Sequence, residues 1–255
     1  GRCKGAIGKV KSIIYHTGIT APSEIHSSQF EVLHIPTISV EFNNHHTPQD
    51  ISEFLKSKPV AIIMSKNAVS GLKNWLEKYN LAMDFFGETP FWTVGEQTHQ
   101  HLLDELRLES WHPELMTGEG IIQSLVEKHQ SRILLISAHE PQQSFIEGLT
   151  SAGIHFFHFP VYATRILSNP EFTAQFTDHE NNFLVCTSPS TTDGIMKSLS
   201  IPSLADLKTK LVSIGPTTSS AIRARNGTVY HESSEQKISS LYSEIIKMDF
   251  CHEQP

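Results

Sequence analysis

Five short turns combine serine, threonine or glycine with a helical pattern that follows, and these turns are the best candidates for ligand chemistry. They occupy residues 65–67, 95–98, 137–140, 188–190 and 215–218. A helix that begins at such a turn directs unbonded backbone N–H groups and the positive end of its dipole outward. That arrangement suits carboxylates or phosphates. Ordinary helix capping explains any single turn of this kind, so it is the matching set that predicts a ligand site.

The turns belong to strand–turn–helix segments that recur along the chain. The apolar run 59–64 leads to Ser65 and then to apolar residues at helical spacing, and the run 183–187 leads in the same way to Ser188, at an offset of 123. Three further pairs match at offsets of 120, 116 and 124: residues 91–98 with 211–218, 122–125 with 238–241, and 32–36 with 156–160. We therefore predict two copies of one α/β unit.

The order of the repeated segments predicts how the chain divides. The last segment of the repeated unit occurs twice. One copy of it ends near the start of the chain, at Pro36, and the other ends in the middle of the chain, at Pro160. We therefore expect a continuous lobe over residues 38–163 and a discontinuous lobe built from residues 1–37 and 164–255.

The expected fold class is α/β, with two similar parallel-sheet lobes of Rossmann or flavodoxin type, one of them discontinuous. Residues 37–42 and 161–166 are β-branched or alternate in polarity, which predicts a linker of two extended strands. Strands that alternate with helices form parallel sheets, and ligands bind such sheets at the carboxyl ends of the strands. All five turns lie at that edge.

The composition excludes several classes of protein. The 255 residues carry a formal charge of −7, which argues against a general nucleic-acid binder. No apolar run approaches the ~20 residues of a membrane helix, and the first residues lack the apolar core of a signal peptide. The three cysteines have no CxxC spacing, and the fifteen histidines form no HExxH or HxH pattern, so we expect no disulfide framework and no metal site. We expect a soluble cytoplasmic protein.

Several motifs resemble those of a known family. Residues 213–221, Ser-Ile-Gly-Pro-Thr-Thr-Ser-Ser-Ala, with Ala-Arg-Asn-Gly at 224–227, resemble the Gly-Pro-Thr-Thr-Ala signature of uroporphyrinogen-III synthases. Cys-Thr-Ser-Pro-Ser at 186–190, Val-Gly-Glu-Gln-Thr at 94–98 and Pro-Val-Tyr-Ala-Thr at 160–164 are also similar to family motifs. The motifs keep the family's order, and the resemblance spans Ile13 to about Ile246. It implies two α/β lobes, one discontinuous, joined by a two-stranded ladder.

The resemblance implies a cyclising hydro-lyase of tetrapyrrole (haem) biosynthesis. Such an enzyme converts linear hydroxymethylbilane into uroporphyrinogen III: water leaves, the last pyrrole ring is inverted through a spiro intermediate, and the macrocycle closes. No cofactor and no metal are implied. The expected partners are the linear tetrapyrrole and, transiently, the hydroxymethylbilane synthase that supplies it, and the expected state is a monomer.

The resemblance also assigns roles to individual residues. Tyr162 occupies the position of the family's proposed acid, which would protonate the leaving hydroxyl, and a packed aromatic between the lobes is the alternative. Substrate carboxylates are expected at six positions that match family residues: Ser65, Ser188, Ser190, Gly215, Thr217 and Thr218. From the remaining turns we add Lys66, Gly95, Thr98 and Ser137 as substrate-binding candidates.

The chain departs from the family pattern at three places. His16 stands near the position of an arginine, Lys66 offers a point charge where the family often has an arginine fork, and residues 137–141 replace a glycine and arginine. We expect the substrate's carboxylates to be met by helix N-termini and a few cations, namely Lys66, Arg165, Lys197 and Arg223.

Two other functions stay open at this point. A non-catalytic bilobal protein could use the same turns to bind or sense a tetrapyrrole or another anionic small molecule. A nucleotide-binding enzyme is the other class, but the chain contains neither GxGxxG nor GxxxxGK[ST].

Overall fold

The computed structural model describes residues 11–22, 29–43 and 45–251, and these residues divide into two compact units. The first unit contains the described residues up to Ser39 and from Arg165 onward, and the second is Val40–Thr164. The lobe boundaries expected from the repeat, 37/38 and 163/164, differ by one or two residues and stay predictions. Cys3 and the amino-terminal segment considered for a signal peptide lie outside the described residues.

Strands and helices alternate along most of the described chain. Its first half contains, in order, β1 (Ser12–His16), β2 (Phe30–His34), β3 (Ile38–Glu41), α1 (Pro48–Leu55), β4 (Val60–Ile63), α2 (Lys66–Lys78), a 3₁₀-helix (Met83–Phe86), β5 (Phe91–Thr93), α3 (Glu96–Leu106) and α4 (Gly118–Glu127). The second half contains β6 (Arg132–Ala138), α5 (Gln143–Ser151), β7 (His155–Ile166), α6 (Pro170–Gln175), β8 (Phe183–Cys186), α7 (Pro189–Leu199), β9 (Lys210–Ser213), α8 (Pro216–Ala224), β10 (Val229–Glu232) and α9 (Ile238–Cys251).

Two five-stranded sheets confirm the predicted α/β fold class. The strand order is β10-β9-β8-β1-β2 in one sheet and β3-β7-β6-β4-β5 in the other. Register is defined for β1 with β2 and β8, for β9 with β8 and β10, for β4 with β5 and β6, and for β6 with β7, and all these pairs are parallel. The chain crosses between the units inside β3 and β7, which are neighbours in the second sheet.

The two sheets repeat one topology, as the sequence offsets predict. Strands β9, β8, β1 and β2 of the first sheet correspond in order to β5, β4, β6 and β7 of the second. In the first sheet, β10 lies beside β9. At the equivalent place in the second sheet, beside β5, there is an isolated parallel bridge between Trp92 and Trp111. In each sheet the order in which the chain adds strands reverses between two central strands, β8 and β1 or β4 and β6, while the strands themselves stay parallel. A parallel sheet binds ligands at such a switch point.

Apolar alternation explains why helices cover both faces of each sheet. In β4, Ala61 and Ile63 pack with α1, α2 and α3, whereas Val60 and Ile62 pack with α4 and α5. These side chains are at most 2 % exposed, and burying each one contributes roughly 1–3 kcal/mol. Among the described residues, no helix is long and apolar enough to cross a membrane.

His16 is a buried polar residue at the carboxyl end of β1. Its side chain is fully buried, and its Nδ1 lies 3.0 Å from the Oη of Tyr242 in α9. Burial and, second, the neighbouring His34 lower the pKa of His16 from 6.5 to about 4, against a smaller opposing effect of the Thr20 backbone. His16 is therefore neutral at physiological pH.

This buried histidine should make stability depend on pH. Between about pH 6.5 and pH 4 the unfolded imidazole binds a proton and the folded one does not, so stability falls as the pH falls. From about pH 7.5 to about pH 5, we expect the free energy of unfolding to drop about 2 kcal/mol more in the wild type than in His16→Gln. Urea unfolding at both pH values measures this difference, and equal drops would contradict it.

Candidate functional site

The carboxyl edge of the second sheet brings two predicted site residues together. Ser65 follows β4 and caps α2, its Oγ accepting a hydrogen bond from the backbone N–H of Ala68 at 3.2 Å. The same Oγ lies 3.1 Å from the Oη of Tyr162 in β7. Both residues are half-buried. A phenol hydrogen-bonded to a serine hydroxyl at this edge can give a proton to a bound ligand.

The ring of Tyr162 has a packing role as well. It lies against the apolar cluster of the second unit that Leu72 of α2, Ile63 of β4 and Phe159 of β7 help to form. This packing lies within the second unit, whereas the alternative from the sequence is an aromatic packed between the lobes. The ring packs against the unit's core, and the hydroxyl contacts the Ser65 hydroxyl.

Ser137 differs from its expected place. Residues 137–140 do not form a turn that caps a helix, because Ser137 and Ala138 belong to β6 and helix α5 starts at Gln143. Ser137 is 3 % exposed, and its hydroxyl contacts the Ala138 carbonyl (3.1 Å) and His158 Nε2 (3.0 Å). Burial is the largest influence on His158 and lowers its pKa. The strand's alternation places Ser137 on the α4–α5 face, away from the face of Ser65, so its substrate-binding role stays a prediction.

Two histidines at this edge make contacts that the sequence pattern does not predict. The backbone N–H of His139 donates to the carbonyl of Tyr162 at 2.8 Å, and its Nε2 lies 2.9 Å from the carbonyl of Asn43. The ring of His45 lies 5.9 Å from that of His139, centroid to centroid. The number of histidines is the one signal in the sequence for these contacts. The pattern does not show which residues meet, because the contacts join β6 and β7 to the distant segment after β3.

Gly95 and Gly215 form a matched pair of turns, one in each unit. Each precedes a helix, α3 or α8, whose first turn receives no hydrogen bond from a capping side chain. Each glycine also allows a close approach: a Cβ would lie 3.1 Å from Cβ of Met116 at Gly95 and 2.9 Å from Cγ of Gln236 at Gly215. Backbone N–H groups at these helix starts, apart from Pro216, which has none, can therefore donate to a ligand.

The other predicted residues lie in the first turns of the helices. Thr98 and Thr218 are buried, Ser188 and Ser190 are half-buried, and Lys66 and Thr217 are exposed. Ser188 caps α7 through a capping box with Thr191. The structure therefore places Ser65, Lys66, Gly95 and Thr98 at the carboxyl edge of the second sheet, and Ser188, Ser190, Gly215, Thr217 and Thr218 at that of the first.

The cations expected to meet the carboxylates lie at different places in the two units, and their binding role stays a prediction. Lys197 and Arg223 lie in the last turns of α7 and α8, about 10–12 Å along each helix from the edge where it begins. The Nζ of Lys197 donates instead to the carbonyl of Ile166 at 3.1 Å. His16 is buried and neutral, so it does not replace an exposed arginine. Of the four expected cations, only Lys66 lies in the first turn of a helix at the candidate edge; the other three are Arg165, Lys197 and Arg223.

Within the described residues, no three histidine, cysteine, aspartate or glutamate side chains converge in a geometry that could hold a metal ion.

Comparisons with known proteins agree with the motifs. The family model for uroporphyrinogen-III synthase HemD matches residues 22–243. The solved structure of uroporphyrinogen-III synthetase from Helicobacter pylori is 18% identical with a TM-score of 0.63, and the match covers 94% of this chain and 100% of that one. A mutant uroporphyrinogen III synthase from Thermus thermophilus is 11% identical with a TM-score of 0.56, covering 93% and 99%. No curated protein sequence matches the chain.

The two structural likenesses, at these identities, establish a shared fold. The family model extends over most of the chain, including both predicted lobes and the turns described above. The chain belongs to the uroporphyrinogen-III synthase family.

Proposed function

We propose that this protein is a cyclising hydro-lyase that converts hydroxymethylbilane into uroporphyrinogen III. Membership of the family gives the substrate class, and the hydrogen-bonded pair of Ser65 Oγ and Tyr162 Oη is the observation that carries the chemistry. The reaction needs a proton for the departing hydroxyl and a fixed conformation for a flexible substrate. The hydroxyl pair supplies the proton, and the helix starts hold the substrate in one conformation.

In the first step, Tyr162 gives its proton to the hydroxymethyl oxygen. The carbon–oxygen bond breaks, water leaves, and the pyrrole nitrogen's electron pair forms the positively charged azafulvenium ion, which balances the phenolate. Ser65 stabilises the phenolate that remains by donating its hydroxyl proton in a hydrogen bond. The last ring then attacks through its substituted carbon, and the spiro intermediate fragments and recloses. When the closed ring regains aromaticity it loses a proton, which restores the phenol and balances the reaction.

The choice of isomer follows from orientation. The substrate closes without inversion unless it is held in one curled conformation, so most of the catalysis consists of restricting its motion. We assign its carboxylates to the uncapped starts of α3 and α8 at Gly95 and Gly215, and to the polar side chains of Lys66, Ser190 and Thr217. Backbone N–H groups bind anions without adding net charge, which suits a chain of formal charge −7.

The proposal includes the setting in which the enzyme acts. We infer a cytoplasmic monomer that requires no cofactor or metal and receives its unstable substrate directly from hydroxymethylbilane synthase. The resemblance to the family supports each of these points.

The first test is the identity of the product. Given hydroxymethylbilane freshly made by the upstream deaminase, the purified protein should yield the type III isomer, because the enzyme-bound conformation favours ring inversion. Chromatographic separation of the oxidised isomers measures this outcome. Type I product alone, formed at the spontaneous rate, would leave only the non-catalytic binding function.

The second test concerns the proton donor. Tyr162→Phe should lower kcat by about 10²-fold, near the low end for loss of a general acid, and leave KM nearly unchanged. Tyr79→Phe is the matched control, because Tyr79 packs on the same apolar cluster at the other end of α2. Similar kinetics for the two variants would exclude Tyr162 as the donor.

The third test concerns the carboxylates. Lys66→Ala should raise KM about 3- to 10-fold, with the increase shrinking at high salt, because an exposed charge pair contributes about 1 kcal/mol. Lys197→Ala, in the last turn of α7, is the control and should leave KM unchanged. Steady-state kinetics at two ionic strengths measures both, and equal changes in KM would contradict the assignment.

A further inference from the structure

Tyr162 lies on the face of its sheet opposite to the one that regular strand alternation predicts. Phe157, Phe159 and Val161 of β7 pack in the cluster on the α2 side, and Phe156 packs in the cluster on the opposite side. A regular strand would place Tyr162 with Phe156. It packs with Val161 instead, on the side of Ser65.

A shift of register in β7 explains this placement. Ser137 of β6 pairs with Pro160, and the next residue, Ala138, pairs with Tyr162, so Val161 is the extra residue of a β-bulge. Pro160 has no N–H to give to a neighbouring strand, and inside a sheet proline is tolerated mainly at edges and bulges. The bulge therefore turns two consecutive side chains, Val161 and Tyr162, to one face.

Helix α2 lies directly on this bulge at Gly71. A Cβ at Gly71 would be 2.6 Å from the carbonyl oxygen of Val161, 2.8 Å from its Cγ2 and 2.9 Å from its Cβ. Contacts this short with backbone and a branched side chain cannot be relieved unless the helix or the strand moves. The absence of a side chain at Gly71 thus sets the distance between α2 and β7, and the residue that caps α2 is Ser65, the partner of Tyr162.

The first unit contains the same contact without the phenol. Gly194 of α7 approaches Thr37 so closely that a Cβ would lie 2.2 Å from the Thr37 carbonyl oxygen. Gly194 corresponds to Gly71 at the offset of 123, and Thr37 follows Pro36 as Val161 follows Pro160. The residue after Thr37 is Ile38, where the second unit has Tyr162. The repeat therefore supplies a matched control within one molecule.

We propose that Gly71 and the Pro160 bulge are positioning elements that hold the Tyr162 hydroxyl against Ser65. Gly71 contacts no substrate in the proposed mechanism and acts through the distance between α2 and β7. The catalytic meaning of the pair rests on the proposed function, but the geometric claim does not. One methyl group at Gly71 should separate the two hydroxyls, and one at Gly194 should leave them in contact.

The test uses the full chain labelled with ¹³Cζ-tyrosine and observed by NMR. The Tyr162→Phe spectrum identifies the Tyr162 resonance, and Ser65→Ala gives its position without the serine partner. Gly71→Ala should move this resonance in the direction of the Ser65→Ala position, and Gly194→Ala should leave it in place. An unmoved resonance in folded Gly71→Ala, or equal shifts in both glycine variants, would overturn the proposal.

A second variant covers the case in which Gly71→Ala does not fold. Pro160→Ala restores an N–H at the bulge and should also move the Tyr162 resonance, whereas Pro36→Ala, its counterpart in the other unit, should not. A Tyr162 resonance that stays in place in Pro160→Ala would overturn the proposal by itself.

Kinetics supplies a readout that loss of stability alone would not change. Gly71→Ala should lower kcat about 10- to 100-fold, and the double variant with Tyr162→Phe should be about as slow as Tyr162→Phe alone, because both substitutions remove one function. The effects of Gly194→Ala and Tyr162→Phe should multiply, and multiplicative effects with Gly71→Ala would count against positioning. If the wild type forms no type III isomer, the proposed function fails while the NMR comparison still decides the geometric claim.

Discussion

The candidate site depends above all on the close approach of helix α2 to strand β7. Gly71 permits contact with the backbone of Val161, the bulge at Val161 turns Tyr162 toward the helix, and Ser65 at the start of the helix meets the phenol at 3.1 Å. A side chain at Gly71 or a regular strand after Pro160 would break this chain of contacts. The chemistry of one hydroxyl pair thus follows from packing in the interior of the unit.

The duplicated fold separates two tasks that a ring-closing enzyme must perform. Both units carry a serine-capped helix and a helix that begins at glycine without a side-chain cap, so both offer backbone donors to carboxylates. Only the second unit has a tyrosine at the bulge, because Ile38 takes the equivalent place in the first. We therefore assign binding to both units and proton transfer to one. The net negative charge is compatible with a polyanionic substrate, since the proposed contacts are mostly uncharged N–H and hydroxyl groups.

The fold could be predicted from the sequence because apolar runs, turn residues and offset copies encode the strand order, and the motifs located most of the turns at the correct edge. Three features could not be predicted. The face on which Tyr162 lies depends on a one-residue bulge that alternation ignores. The burial of His16 depends on Tyr242, 226 residues further along the chain. Lys197 and Arg223 lie in the expected helices but at the end far from the edge, which a motif match does not reveal.

A structure of the protein with its reaction product, determined without oxygen, tests the central claim most directly. The quantity to measure is the distance from the Tyr162 Oη to the bridging carbon that carried the leaving hydroxyl. We expect that carbon within about 4 Å of the phenol, close enough for a proton to have reached the attached oxygen, with the Ser65 contact intact. A product whose bridging carbon lies nearer the turns of the first unit, with Tyr162 facing a propionate or solvent, would contradict the assignment of proton transfer to this pair.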